Sequence, residues 1–338
     1  MASEPSLFAL VQAAAQKRAA ALSGAHDAAL CLFNGYTEGA PGLVVERFGR
    51  TLLLTTHAVA TASEAELGAL AERLREQFPF LLSALWKRRG EDEELRRGRL
   101  LFGAESELER RVTENGVRYA LDLRLHQDAG LYLDTRELRA WLKRELSGRT
   151  LLNTFAYTGS LGVAAAAGGA SEVVHVDRNR AFLNQAKASY ALNGLSVARR
   201  DFVVGDFFAV SSELRRQGRL FDCVILDPPF FASTPGGRVD LVGDAERLLN
   251  KARPLVADGG RLVVVNNALF VSGAAQMALL ERACSDGYLA LERTVPVPED
   301  VVGAAGGDAA APPADPAPFN HSTKIAILSV RRKDGRSR

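Results

Sequence analysis

Two spacings of apolar residues run along this chain of 338 residues. Over residues 6–22 apolar positions recur at helical intervals and predict an amphipathic helix. Leu43-Val44-Val45-Glu46-Arg47-Phe48 and Thr51–Thr56, joined at Gly49-Arg50, predict a hairpin. A helix over about 62–77 and a strand over about 82–88 complete a small α/β unit. Residues 89–99 are mostly charged and read as a solvated loop. Short strands are expected near 109–113 and 117–123. From residue 134 the pattern changes. Asp134 and Glu137 have capping-box spacing and predict a helix start. Apolar runs at 150–155, 172–176, 201–204, 221–226 and 261–265 then alternate with helical stretches, and two last strands are expected near 288–296 and 324–331. Such a series predicts a doubly wound, mostly parallel α/β sheet with helices on both faces. The organisation read from this is a helical segment at 1–28, a small α/β domain at 29–120 and a larger α/β domain at 121–338. Residues 301–318, rich in Ala, Gly and Pro, read as a mobile loop.

Composition changes this picture little. The chain is 47% hydrophobic and 24% charged, with a formal net charge of +2. A nucleic-acid partner would therefore need local patches, such as Lys87-Arg88-Arg89, Arg96-Arg97 or the tail Arg331–Arg338. Cys31, Cys223 and Cys284 lie far apart and fit neither a metal spacing nor a disulfide framework, which favours a reducing, cytoplasmic setting without a metal. The N-terminal stretch lacks the layout of a signal peptide. No apolar run is long enough to cross a bilayer, so no membrane partner is expected.

The most informative stretch is Phe221-Asp222-Cys223-Val224-Ile225-Leu226-Asp227-Pro228-Pro229-Phe230-Phe231. Its apolar run reads as a buried parallel strand. Two prolines cannot continue a strand, so the chain must leave the sheet at Asp227. Open α/β sheets bind ligands at that carboxyl edge. A carboxylate, prolyl carbonyls and an aromatic face there suit a flat base with N–H donors. Three other strand ends carry similar signals. Gly159, in Tyr157-Thr158-Gly159-Ser160-Leu161-Gly162, allows close backbone approach. Asp177 ends the next strand, 18 residues later, placed to accept ribose hydroxyls. Asp206-Phe207 ends the third, offering an acid for an adenine amino group and a ring to cover it. A nicotinamide enzyme would want G-x-G-x-x-G, and Thr158 departs from the shape of that turn.

Phe155-Ala156-Tyr157-Thr158-Gly159, Asp177, Asn193-Gly194-Leu195, Asp206-Phe207 and Asp227-Pro228-Pro229-Phe230 resemble the class I S-adenosylmethionine-dependent methyltransferases. The pattern is similar to bacterial 23S ribosomal RNA base methyltransferases, and matching residues span about 30 to 330. His126-Gln127-Asp128-Ala129-Gly130-Leu131-Tyr132-Leu133-Asp134-Thr135-Arg136 resembles their Gly-Gln-x-x-Gly-x-Phe-x-Asp-x-Arg segment, and Phe33–Gly49 the opening of their central domain. The resemblance implies a Rossmann-like seven-stranded methyltransferase sheet after a small, RNA-facing α/β domain. It implies S-adenosylmethionine as cofactor, held by Phe155, Tyr157, Thr158, Gly159, Asp177, Arg178, Asp206 and Phe207, with Gln127 and Arg136 from the upstream segment. It assigns Asp227, Pro228, Pro229 and Phe230 to catalysis on a base of 23S ribosomal RNA, met before full subunit assembly. Phe231, His321 and Lys324 are further acceptor-side candidates. The last strand should run antiparallel, so His321 would reach the base, Lys324 a phosphate, and the 301–318 loop would order over RNA. Many relatives begin with a PUA RNA-binding domain; with roughly 30 residues before the match, the expectation is a chain without one.

Cytosine C5 methylation needs a thiolate to attack the ring first. Cys223 lies four residues before Asp227, roughly 13 Å below the sheet edge at about 3.3 Å per residue. Transfer to a nitrogen, guanine N7 or an amino group, is the expectation that follows. Acceptors other than RNA, namely a protein glutamine amide or a small molecule, and a non-catalytic ribosome-assembly role remain as alternatives.

Overall fold

The structure, a computed structural model, describes residues 5–18, 26–234, 236–303 and 314–337. The chain forms two compact units, Met1–Asp134 with Pro298–Ala311, and Thr135–Val297 with Pro312–Arg338. The division falls after residue 134 rather than 120, and the first unit takes back a late piece of chain. No described helix is long and apolar enough to cross a membrane.

The first unit begins with α1 (Leu7–Lys17), capped by the Ser6 hydroxyl. The expected continuation to residue 22 falls largely outside the described residues. Next come β1 (Ala29–Asn34), α2 (Gly35–Glu38), β2 (Leu43–Phe48), β3 (Thr51–Thr56), α3 (Glu64–Gln77) and β4 (Ser83–Arg88). A full capping box between Ser63 and Glu66 starts α3. The strands form one sheet in the order β1-β2-β3-β4, extended by β5 (Arg99–Phe102). The expected hairpin is β2–β3, and α3 carries the chain across so that β4 runs parallel to β3. The charged stretch 89–99 is not wholly a loop. Asp92 caps a short helix, α4 (Glu93–Arg97), whose Leu95 packs into the core while its charges face water. A separate ribbon joins β6 (Arg111–Glu114) to β7 (Val117–Ala120) through Asn115-Gly116, both at positive φ.

One helical turn, Glu299–Val302, belongs to this unit. The Cys31 amide donates to Asp300 Oδ2 at 3.0 Å, and the Asn34 amide group to the Val301 carbonyl at 2.8 Å. The first residues of the stretch read as a mobile loop are thus anchored. Residues 304–313 lie outside the described residues.

The second unit opens with α5 (Arg136–Glu145). The capping box expected of Asp134 and Glu137 is absent: the cap is Thr135, without a side-chain capping bond. Its hydroxyl instead accepts from Arg139 Nη1 at 2.8 Å. Then come β8 (Thr150–Thr154), α6 (Ser160–Ala167), β9 (Glu172–Asp177), α7 (Arg180–Leu192), β10 (Phe202–Val204), α8 (Phe207–Arg216) and β11 (Phe221–Leu226). A hairpin absent from the sequence reading follows, β12 (Phe231–Thr234) with β13 (Gly237–Asp240). The remainder is α9 (Ala245–Ala252), β14 (Val256–Asn266), α10 (Gly273–Cys284), β15 (Leu289–Val295) and β16 (Lys324–Val330).

The main sheet has the order β10-β9-β8-β11-β14-β16-β15. Its first five strands are parallel, and β16 is antiparallel to both neighbours, as expected. Side chains alternate across a strand. Val224 and Leu226 of β11 therefore enter one core, while Cys223 and Ile225 enter another with Trp141 and Leu142 of α5. Cover on both faces explains why this strand reads as one apolar run. Strand order reverses between β8 and β11, which opens a crevice at their carboxyl ends.

Candidate active site at the carboxyl edge of the seven-stranded sheet

The glycine turn sits where β8 ends. Phe155 (φ 52°), Tyr157 (φ 50°) and Gly159 (φ 76°) all adopt left-handed conformations. For the two aromatic residues this stores strain, about 1–3 kcal/mol each. Hydrogen bonds enforce it. The Ala156 amide donates to the Val176 carbonyl at 2.9 Å and the Tyr157 amide to Asp177 Oδ2 at 2.8 Å. Both glycines are also dictated by packing. A Cβ on Gly159 would lie 2.5 Å from the Ala186 Cβ, and one on Gly162 would lie 2.4 Å from His175 Cε1.

His175, inside the apolar run 172–176, supports this turn. It is fully buried, stacked on Phe202 with centroids 5.0 Å apart, and its Nε2 lies 3.0 Å from the Tyr190 hydroxyl. Burial pushes its pKa down to about 3, so the ring is neutral. A lone histidine in an apolar run carries little signal by itself; Gly159 and Gly162, upstream in sequence, are its trace.

Asp177 is half-buried at the tip of β9, and burial raises its carboxyl pKa against the lowering effect of backbone bonds. Its two oxygens accept from the Tyr157 and Asn179 amides, each at 2.8 Å. It does not cap α7; Asn179 does. Asp206, by contrast, caps α8, its Oδ1 accepting from the Phe208 amide at 2.9 Å. Phe207, expected to cover a ligand ring, is only 3% exposed and packs in the core, 4.8 Å from the Phe155 ring. Thr158 is buried and Arg178 exposed. Arg136 is half-buried in the first turn of α5, whereas Gln127 belongs to the first unit.

The residues flanking Gln127 are held firmly. Lys87 Nζ donates to the His126 carbonyl at 2.6 Å and the Asp128 carbonyl at 3.0 Å. Arg89 pairs with Asp128, which also accepts from the Tyr132 hydroxyl at 2.8 Å. Burial lowers the Lys87 pKa to about 8. The supposed basic patch is thus partly interior: Lys87 has no exposure, and only Arg88 and Arg89 approach solvent. In the basic tail, Arg332 pairs with Asp334 and donates to the Pro254 and Val256 carbonyls.

At the next strand end, β11 stops at a half-buried Asp227 and a buried Pro228. Pro229, Phe230 and Phe231 then turn outward. Cys223 lies inside β11 without exposure, and burial pushes its thiol pKa up to about 12. Burial raises the pKa of Cys31 and Cys284 as well. Lys324 does not face a phosphate. It is 1% exposed, with its ammonium on the Ala268 and Ser322 carbonyls, and burial lowers its pKa to about 8. It ties the loop after β14 to the start of β16. His321, half-buried beside it, accepts from the Thr323 amide at 3.0 Å.

Sheet order, glycine turn and strand-end acids define a Rossmann-like α/β protein of the class I methyltransferase fold. The chain belongs to the S-adenosylmethionine-dependent methyltransferase family, whose model matches residues 100–310. It is 30% identical over 268 residues to the ribosomal RNA large subunit methyltransferase I of Erwinia tasmaniensis, covering 78% of this chain and 66% of that one. The enzyme of the same name from Aeromonas salmonicida is 30% identical over 257 residues, covering 75% and 63%. The matches thus span slightly less than two thirds of these relatives' length. The crystal structure of SMU.776 complexed with SAH is similar in fold, with a TM-score of 0.84 at 23% identity over 97% of this chain and 83% of that one.

The cofactor of the family, S-adenosylmethionine, fits the donor set. A carboxylate has about four lone-pair sites, and the Tyr157, Asn179 and Arg178 amides engage those on Asp177. That leaves acceptor capacity for one ribose hydroxyl.

Proposed function

We propose that this chain methylates a base of large-subunit ribosomal RNA, at a nitrogen rather than at cytosine C5. The acceptor class rests on the two relatives named as ribosomal RNA large subunit methyltransferases, each 30% identical to this chain. The choice of atom rests on one observation: the thiol nearest the acceptor turn, Cys223, is sealed inside β11 with a raised pKa. A thiol kept protonated and unexposed is no nucleophile. A ring or amino nitrogen with an available lone pair needs none.

Bound S-adenosylmethionine supplies an electrophilic methyl group. Asp177, Asp206 and the turn through Gly159 are the residues that would hold it. Asp227 and the Pro228 carbonyl orient the N–H edge of the base, and Phe230 stacks on its face. Catalysis is then chiefly alignment and electrostatics. Unpaired or opened RNA is the substrate form that lets such a base reach a protein turn.

Asp227→Ala should reduce methyl transfer to 23S RNA by about 10²-fold or more, with cofactor binding by calorimetry largely kept. Full transfer in that variant removes Asp227 from the mechanism. Mass mapping of ribosomal RNA with and without the gene should locate the methyl group. In the nitrogen reading Cys223→Ala retains transfer; a covalent RNA adduct dependent on Cys223 would instead establish C5 chemistry.

A further inference from the structure

Among the described residues three phenylalanines are strongly exposed: Phe230 at 42%, Phe231 at 54% and Phe270 at 68%. All stand at the carboxyl edge of the main sheet. Phe230 and Phe231 follow the acceptor turn after β11, and Phe270 lies in the loop after β14, the adjacent strand. Contiguous exposed apolar surface marks a binding site more often than chance.

The ring centroids of Phe230 and Phe270 are 6.5 Å apart, at the wide end of the range for paired rings, and their planes are inclined by 48°. A flat base between two parallel rings needs about 7 Å, twice the ~3.5 Å contact distance. Exposed side chains change rotamer within picoseconds to nanoseconds, so the two planes can align around a guest.

Beside this pair lies a second platform. In the β12–β13 register Phe231 stands opposite Asp240 and Ser233 opposite Arg238. The Arg238 guanidinium lies 5.2 Å from the Phe231 centroid and pairs with Asp240. Val239, facing the other way, is 1% exposed and anchors the hairpin in the core. The entry into β13 is close-packed too: a Cβ on Gly236 would lie 2.2 Å from Asp206 Oδ1, and one on Gly237 2.8 Å from the Phe208 ring. The platform is therefore held against the end of the third strand.

We infer that Phe230 and Phe270 form a two-sided slot for the acceptor base, and that Phe231 with Arg238 receives the adjoining nucleotide of an unpaired strand. This rests on the RNA reading above. The arrangement selects that occupant: two rings for one base, and a ring carrying a guanidinium for the next. A lone amide or a small metabolite would use only the first of these.

Fluorescence anisotropy with a labelled single-stranded RNA and with its duplex, on the full chain, tests this. Phe270→Ala should weaken single-strand binding about tenfold and raise KM for RNA, with affinity for S-adenosylhomocysteine unchanged. Phe270→Trp should bind as well as the original chain. Arg238→Ala should weaken binding and flatten its salt dependence. If the original chain binds and methylates RNA but Phe270→Ala behaves identically, the slot is refuted and the RNA reading stands. Equal affinity for duplex and single strand also refutes the slot. If the original chain ignores RNA and methylates a protein or small molecule, both fall together.

Discussion

The two halves of the carboxyl edge are built by opposite rules. Past the ends of β8, β9 and β10 the acids and rings are already engaged. Asp177 and Asp206 hold backbone amides, Phe207 is buried, and two left-handed aromatic residues are locked in place. At the ends of β11 and β14 three phenylalanine rings face water. A small cofactor of constant shape suits a preorganised half, whose strain and hydrogen bonds are set before it arrives. An acceptor carried within a large molecule suits an open half, whose surface is completed on binding. The difference predicts that mutations in the first half act through folding and cofactor affinity, and those in the second through acceptor affinity.

The largest break in this contrast should come from Asp177. In Asp177→Ala the Tyr157 and Asn179 amides lose charged partners, and such bonds are worth about 1.5–3 kcal/mol each. The strained turn then relaxes. Cofactor affinity measured by calorimetry should fall about 10²-fold or more, while single-stranded RNA still binds. Loss of RNA binding with intact cofactor affinity would show that the halves are not separable in this way.

Much of this layout was legible in the sequence because its cause is local. β11 reads as a strand since both faces are covered, and two prolines announce its end. Gly159, Asp177, Asp206 and Asp227 all sit at strand ends as expected. What escaped depends on distant partners. Lys324 looks like a phosphate ligand until the Ala268 carbonyl, 56 residues away, meets its ammonium. Phe207 looks like a ligand-covering ring until Phe155 packs against it. The β12–β13 hairpin has only four residues per strand, too short for a periodic signal. Phe270 follows β14, of which the sequence predicts only 261–265, and no sequence pattern brings it beside Phe230.

A milder test uses acid. His175 binds a proton near pH 6.5 when unfolded, but only near pH 3 when folded. Between those values the unfolded state holds more protons, so stability is lost as pH falls through that window. By pH 5 the loss should reach about 2 kcal/mol. His175→Gln, which removes the titration, should show a smaller acid-induced fall in melting temperature than the original chain. Parallel curves for the two would mean that His175 does not supply the acid sensitivity of the cofactor half.

The smallest effect belongs to the acceptor half and has its window on the alkaline side. Lys324 titrates near 10.5 when unfolded and near 8 when folded. Below pH 8 both states are protonated, and the fold bears the full cost of a buried ammonium, eased by the Ala268 and Ser322 carbonyls. Above pH 8 the folded state releases its proton first, so this group's contribution to stability rises with pH until about 10.5. Between pH 8 and 9 the gain is about 1 kcal/mol. Lys324→Met removes that rise, so the melting temperature of the original chain should gain on the variant across this interval. It also unties the loop after β14 from the start of β16. Because that loop carries Phe270, Lys324→Met should raise KM for RNA more than KM for the cofactor. An equal rise in both would mean that the lysine supports the whole sheet edge rather than its open half.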